Sequence, residues 1–169
     1  YGFATVLLQQ EYNADGGLMA LSLALMLDPD LDAARLMFAE GHARQDRFEL
    51  ARAALARVNE GSPYAESARL LDARYLLRSG RGEAALEAAL ANAEAGHPRA
   101  RRALADMYAS LERHAQAEPI YTALLAEDDD NWTLYFARAA TRDAIVDWPA
   151  AEADLRKALE FSPDQPEVL

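Results

Sequence analysis

Residues 104–121 of this 169-residue chain read LADMYASLERHAQAEPIY. Two runs of helix-forming residues are joined by a short polar stretch, and each run contains a small residue, Ala105 or Ala117. Alanine recurs at both positions along the chain, at steps of 34, 32 and 34 residues. The first set is Ala39, Ala73, Ala105 and Ala139, and the second is Ala51, Ala85, Ala117 and Ala151. This spacing predicts repeated helical hairpins whose backbones approach closely at the small residues.

Other residue types keep the same phase, so the period does not depend on the abundance of alanine. Leu55, Tyr121 and Leu155 each follow the second alanine by four residues, and Pro63 and Pro163 each follow it by 12. No stretch alternates apolar with polar residues as a half-buried strand would. We therefore predict an all-α fold.

Glycine and proline mark the ends of the predicted helices. Ser62 before Pro63 predicts a helix that starts there, with serine as the cap, and Asp147 before Pro149 predicts another. The one step of 32 residues implies a two-residue deletion, which we place in a loop at residues 92–98 because loops tolerate deletions.

The composition excludes several classes of function. Apolar residues make up 51% of the chain and charged residues 27%, as in a globular protein. A net charge of −11 disfavours nucleic acid and anionic membrane as partners, and the absence of cysteine excludes disulfides and thiolate metal sites. The longest apolar run, residues 18–27, is too short to span a bilayer. Because the chain begins at Tyr1, we expect it to be a piece of a longer protein, in which any targeting signal would precede Tyr1.

These residues resemble the tetratricopeptide repeat (TPR), a 34-residue helix–turn–helix with small residues in both helices and a closing proline. The resemblance implies a right-handed superhelical solenoid of about five repeats that fills residues 1–169 as one array. The predicted units are residues 1–29 (partial), 30–63, 64–97, 98–129 and 130–163, and residues 164–169 begin a further helix. The alanine- and arginine-rich composition, with Lys157 as the single lysine, resembles bacterial TPR proteins. It leaves open whether the compartment is the cytoplasm or the periplasm.

The sequence contains no catalytic constellation, so we predict that the protein is not an enzyme. The histidines His42, His97 and His114 show no metal-ligand spacing, and the acidic stretch 128–131 lacks the later ligands of a calcium loop. The turn at residues 79–82 lacks the lysine of a phosphate-binding loop. We predict no metal and no cofactor.

The remaining candidate is a binding surface, because TPR arrays present their first helices on a concave face. Projecting the repeat phase onto that face gives ten peptide-binding candidates: Leu36, Glu40, Arg44, Leu70, Arg74, Arg78, Arg99, Arg102, Asp106 and Phe136. Five arginines in an acidic chain favour an acidic peptide, since guanidinium groups bind carboxylates in a bidentate fashion. The alternative is that these arginines form ion pairs within the array. The resemblance also places Leu36, Glu40, Leu71, Arg99 and Ala103 where chaperone-binding TPR proteins have their carboxylate clamp, so binding to chaperone tails is not expected.

The sequence favours a non-catalytic scaffold that binds a protein or peptide segment on the concave face. Two alternatives stay open. One is self-association into a homo-oligomer through the array ends, with the apolar helix at residues 149–161 as the contact. The other is a regulatory arm of a larger enzyme.

The predicted close approach at the small residues is testable with Ala117→Leu. Three additional heavy atoms at a tight helix contact should destabilise the fold by about 1–3 kcal/mol through overpacking. Chemical denaturation measures this change in the free energy of unfolding, and an unchanged value would show that the assigned phase is wrong.

Overall fold

A computed structural model describes residues 14–94 and 98–162, and all regular secondary structure in these ranges is helical. The nine helices found there are α1 (Ala14–Leu27), α2 (Asp32–Arg44), α3 (Phe48–Leu55), α4 (Ala65–Arg78), α5 (Gly82–Glu94), α6 (Pro98–Ser110), α7 (His114–Leu125), α8 (Trp132–Ala144) and α9 (Trp148–Phe161). The all-α prediction is confirmed. Contacts between Cα atoms divide the chain into two compact units, Tyr1–Ala88 and Ala89–Leu169, termed unit 1 and unit 2 below.

In unit 1, helices that follow one another in sequence pack together, α1 on α2, α2 on α3 and α3 on α4. The main core cluster joins Ala39 and Ala43 of α2 to Leu55 of α3 and to Ala68 and Tyr75 of α4. Alanine at these contacts removes the bulk that would otherwise separate the helix backbones. The first helices of two hairpins, α2 and α4, therefore share one core with the helix between them.

Unit 2 repeats this arrangement with α6 on α7, α7 on α8 and α8 on α9. Its core cluster contains Ala105 of α6, Ala117, Tyr121 and Leu124 of α7, and Leu134 of α8. Tyr121 is among the largest fully buried side chains of the described chain, at 2% exposure. A large residue of the second helix thus fills the space that the small residues leave open.

All eight alanines that define the period are buried, each with at most 5% of its surface exposed. They comprise Ala39, Ala73, Ala105 and Ala139 in the first helices and Ala51, Ala85, Ala117 and Ala151 in the second. The prediction that the recurring small residues lie inside the helix packing is confirmed. Burial of alanine costs no side-chain entropy, so the close contacts do not immobilise additional rotatable bonds.

The turn inside each hairpin has a left-handed residue at the same phase. These residues are Asp46 (φ 55°), Gly80 (φ 79°), Glu112 (φ 59°) and Val146 (φ 66°). In the first turn the Arg47 N–H donates to the His42 carbonyl (3.0 Å) and the Asp46 N–H to the Ala43 carbonyl (3.1 Å), and equivalent pairs of bonds close the other three turns. This is the Schellman ending of a helix, which glycine favours because it has no Cβ.

One predicted helix start is confirmed and the other is wrong. Asp147 is the N-cap of α9, and its carboxylate accepts a hydrogen bond from the Ala150 N–H at 3.4 Å. By contrast, α4 begins at Ala65 rather than at Pro63. The Ser62 hydroxyl accepts from the Tyr64 N–H (3.2 Å), so this serine closes a local turn instead of capping the helix.

Several predictions fall wholly or partly outside the described residues. These predictions concern residues 1–13 of the first predicted repeat (residues 1–29), the segment 95–97 with His97, and the further helix from residue 164. The predicted deletion at residues 92–98 overlaps the end of α5, which extends to Glu94. The division of the array into five units remains a proposal. Among the described helices, none combines the length and the apolar character that crossing a membrane requires.

The repeated left-handed turn predicts that Val146→Gly stabilises the protein. A residue with a Cβ costs about 1–2 kcal/mol in this conformation, and the greater freedom of glycine in the unfolded chain offsets about 0.4–1 kcal/mol of the gain. We expect a net stabilisation of about 0.5–1 kcal/mol in chemical denaturation. The matched control is Gly80→Val, which should destabilise, because a Cβ there meets no atom within 4 Å and only the positive φ opposes it. A stability change of the same sign in both variants would contradict this explanation.

Candidate functional site

The predicted face of unit 1 is centred on the hydroxyl group of Tyr75. Only 3% of the surface of Tyr75 is exposed. Burial and then the charge of Glu40 raise the pKa of Tyr75, whereas Arg74, Arg78 and Arg44 act in the opposite direction. Glu40 and Arg44 lie on α2, and Arg74 and Arg78 lie on α4, so charged groups of both helices act electrostatically on this hydroxyl. The three guanidinium groups of this face therefore lie together with the carboxylates of Glu40 and of Asp46, which pairs with Arg78.

Arg78 is held in place by two contacts with the turn between α2 and α3. Its Nη2 lies 3.2 Å from the Asp46 carboxylate, and its guanidinium carbon lies 4.8 Å from the centre of the Phe48 ring. Phe48 in turn packs on Tyr75, with ring centroids 6.2 Å apart. These two contacts orient the Arg78 guanidinium group towards the beginning of α3.

The other predicted residues of unit 1 lie along α2 and α4. Glu40, Arg44 and Arg74 are exposed, whereas Leu36 and Leu70 are half-buried. Leu36 also packs against the core cluster that contains Tyr75. The face of unit 1 thus combines exposed charge with partly covered apolar surface, which is the composition of a binding patch with an apolar anchor and a polar rim.

In unit 2, the predicted residues form a polar chain. The Arg102 guanidinium donates to the Thr133 hydroxyl at 2.7 Å and lies 3.8 Å from the Asp106 carboxylate. The Tyr121 hydroxyl donates to Asp106 at 2.6 Å. Burial, followed by this hydrogen bond, raises the pKa of Tyr121 far above its usual range. Tyr121 therefore remains neutral and orients Asp106.

The remaining two predicted residues of unit 2 are Arg99, which is exposed, and Phe136, which is half-buried. Each unit thus presents its own part of the predicted surface. Arg78 and Arg102 both have partners within their own unit, as the internal ion-pair alternative requires. Peptide binding by these ten residues remains a prediction.

A second charged cluster, which the sequence analysis missed, lies inside unit 2. Asp154 is 3% exposed and receives bidentate hydrogen bonds from Arg138 (2.8 and 2.7 Å) and a further bond from Arg142 (2.8 Å). Arg142 also donates to Glu118 at 2.7 Å. The hydrogen bond with Asp154 is the main cause of the raised pKa of Arg138. The two positive charges of this cluster balance its two negative charges. Glu118 lies on α7, the two arginines on α8 and Asp154 on α9, so the cluster links these three helices.

The signal for this cluster was present in the sequence. Positions 138, 142 and 154 correspond, one period earlier, to Leu104, Tyr108 and Ile120. Charged residues at three positions that are apolar in the preceding hairpin indicate a buried ion pair, because a single unpaired charge there would be too costly.

The described residues contain no group of three or more side chains that could hold a metal ion. Two of the three histidines lie among them. His42 is buried, and burial followed by the charge of Arg47 lowers its pKa, so it is neutral near pH 7. His114 begins α7 and is half-buried. The third, His97, lies outside the described residues.

Comparisons with known proteins agree on the fold. No protein-family model matches the sequence, and no curated protein matches it. Among solved structures, a tetratricopeptide repeat protein from Parabacteroides merdae ATCC 43184 is similar with a TM-score of 0.78 at 17% identity, over 99% of this chain and 66% of that one. MamA is similar with a TM-score of 0.70 at 16% identity, over 92% of both chains.

A third similar structure is YrrB, described as a TPR protein with an unusual peptide-binding site. Its TM-score is 0.66 at 16% identity, over 99% of this chain and 87% of YrrB. At these identities the likeness shows the fold alone. The chain has the tetratricopeptide-repeat fold that its 34-residue period predicts.

The buried cluster predicts a large effect of Asp154→Ala. The substitution leaves Arg138 and Arg142 without their shared carboxylate, and breaking a buried pair in this way costs about 3–5 kcal/mol. Glu152→Ala is the control in the same helix, because the Glu152–Arg156 pair is exposed and should contribute less than about 0.5 kcal/mol. Denaturant unfolding measures both values. Similar losses in the two variants would show that Asp154 has no special role.

Proposed function

We propose that this protein is a non-catalytic scaffold that binds an extended, acidic segment of a partner protein on the face of its first helices. The observation that carries the proposal is the group of four exposed charged side chains on α2 and α4 of unit 1, all of which act electrostatically on Tyr75: Glu40, Arg44, Arg74 and Arg78. The similarity in fold to YrrB, a TPR protein with a peptide-binding site, supports a peptide as the ligand.

The charge of the cluster selects the chemistry of the ligand. The chain as a whole carries a net charge of −11, whereas the charges around Tyr75 comprise three guanidinium groups and two carboxylates, those of Glu40 and of Asp46, which pairs with Arg78. A carboxylate that approaches this cluster gains charge-assisted hydrogen bonds of the guanidinium type. The long-range repulsion from the rest of the chain opposes such a ligand, so the local arginines must supply most of the orientation.

Apolar contact supplies a second part of the proposed affinity. Leu36 and Leu70 are half-buried and retain some exposed surface beside the charged residues. Burial of apolar surface contributes roughly 25 cal/mol per Å² before the entropic cost of ordering the peptide is subtracted. A peptide that alternates acidic and apolar residues would satisfy both kinds of surface.

The proposal predicts that Arg74→Glu weakens the binding of an acidic peptide. The probe is a short fluorescein-labelled peptide of alternating leucine and aspartate, and fluorescence anisotropy gives its Kd. Reversing one charge in the cluster should raise Kd at least about tenfold, which corresponds to about 1.4 kcal/mol. Raising the salt concentration should weaken binding to the unaltered protein, since exposed charges are screened.

Arg69→Glu is the matched control, because Arg69 is also exposed on α4 but is not among the charges that act on Tyr75. Both variants change the net charge of the protein equally. If the site is specific, only Arg74→Glu should raise the Kd of the peptide. Equal weakening by the two variants would reduce the effect to net charge and reject the site. A peptide in which asparagine replaces aspartate should bind weakly to all three proteins.

A further inference from the structure

The turn between α8 and α9 carries an exposed group of large apolar side chains. Ile145 is 45% exposed, Val146 63% and Trp148 64%, and these three residues are termed the apolar tip. Two exposed acidic residues, Asp143 and Asp147, flank the tip. Exposed tryptophan surrounded by other apolar residues is typical of the anchor of a protein contact.

The corresponding turns of the other hairpins do not share this character. The left-handed residue and the one after it are Asp46 and Arg47, Gly80 and Arg81, or Glu112 and Arg113. Among the four hairpin turns that the structure describes, only the fourth has a β-branched residue at the left-handed position and an exposed tryptophan beside it. The repeat can accommodate a polar tip at lower cost in backbone energy, so its own packing does not account for the apolar tip.

Unit 1 carries an apolar groove with the opposite charge at its edges. The groove has a volume of about 510 Å³. Its lining consists of Ser22, Leu25, Met26, Pro29, Arg35, Phe38, His42, Leu50, Ala53, Ala54 and Arg57. Two arginines and no carboxylate line it, although acidic residues outnumber basic ones by 28 to 17 in the whole chain.

The groove is accessible, and a buried nitrogen atom in its lining has no hydrogen-bond partner. Met26 is 76% exposed and Leu50 52%, so apolar surface lies open on both sides. The buried His42 Nδ1 has no hydrogen-bond partner. An apolar pocket with a few convergent polar groups is the usual form of a site that receives another group.

We propose that the apolar tip of one molecule docks into the apolar groove of a second copy of this chain. Ile145, Val146 and Trp148 are apolar, as is most of the groove lining, and the acidic edge of the tip (Asp143, Asp147) complements the exposed Arg57, whereas Arg35 already pairs with Asp32. The occupant is a second copy because the same chain carries both complementary surfaces. This contact is separate from the proposed peptide-binding face, since it uses none of the residues around Tyr75.

The contact is heterologous, because it joins two different surfaces. Each docked molecule retains one unused tip or one unused groove, so association continues beyond a dimer as an open chain or a closed ring. The contact is small, and small interfaces are weak. Self-association should therefore depend strongly on concentration and appear only in the upper micromolar range, at roughly 100 µM to 1 mM.

Sedimentation equilibrium of the full chain tests the proposal. The weight-average mass should rise with concentration past twice the 18.6 kDa of one chain. Trp148→Ala, which removes the anchor of the tip, and Leu50→Glu, which places a charge in the groove, should each reduce the mass toward that of a monomer. Both positions are exposed in the monomer, and circular dichroism verifies that the variants fold. A wild-type protein that stays monomeric at about 1 mM would overturn the proposal.

Mixing the two variants gives the decisive result. Trp148→Ala retains a working groove and Leu50→Glu retains a working tip, so an equimolar mixture should form a heterodimer and nothing larger. A charge exchange in one chain, Arg57→Glu with Asp143→Lys, should restore the association that either change alone weakens. A mixture that remains monomeric would overturn the proposal.

Leu23→Ser is the matched control, because Leu23 is 59% exposed on α1 but does not line the groove. It should leave the association unchanged, as should Arg74→Glu in the peptide-binding face. Loss of association in Leu23→Ser would place the contact on the outer surface of α1 and contradict the proposal. Loss in Arg74→Glu would mean that self-association uses the peptide-binding face.

Discussion

The close approach of helices at buried alanines is the constraint on which the rest of the structure depends. At Ala105 and Ala117 no surface is exposed, and both alanines belong to the core cluster that α6, α7 and α8 share. This proximity allows Tyr121 of α7 to reach Asp106 of α6 with its hydroxyl group. A larger residue at either alanine would separate the helices and remove the polar contact as well as the packing. The core and the surface of the hairpin are therefore coupled.

A second constraint acts at the turns, where the backbone requires a residue with positive φ. The residues at this position differ in how well they suit it. Each of the four described hairpins closes through a residue with positive φ, but among these four residues only Gly80 is a glycine, which adopts that conformation without strain. Asp46 belongs to the residue types that adopt this conformation more readily, and its carboxylate receives Arg78. Val146 has neither advantage. The backbone geometry of the turn is thus imposed by the packing of the two helices, and the residue at its apex is free to vary for other reasons.

The repeat period was sufficient to predict the fold. The period consists of small side chains at fixed spacing, and the size of each side chain can be read directly from the sequence. The site was harder to predict, since it depends on pairings between side chains that are far apart in sequence. Arg138 and Asp154 are 16 residues apart, and each looks like an ordinary exposed residue until their positions are compared with Leu104 and Ile120. The helix start at Pro63 was wrong for a related reason. Ser62 can cap a helix or close a turn, and only tertiary packing decides between the two.

The balance of charge distinguishes the structural arginines from those proposed to bind a ligand. In the Asp154 cluster, two guanidinium groups pair with two carboxylates, and most of the surface of these four side chains is buried. The cluster therefore cannot bind another anion. Three guanidinium groups and the Glu40 carboxylate act electrostatically on Tyr75. Arg78 receives a further carboxylate from Asp46, and positive charge still exceeds negative. Positive charge on an exposed face of an acidic chain comes from the residues of that face, because the remaining residues of the chain create a negative field. It is this local excess, rather than the presence of arginine as such, that makes the face of unit 1 a candidate for carboxylate recognition.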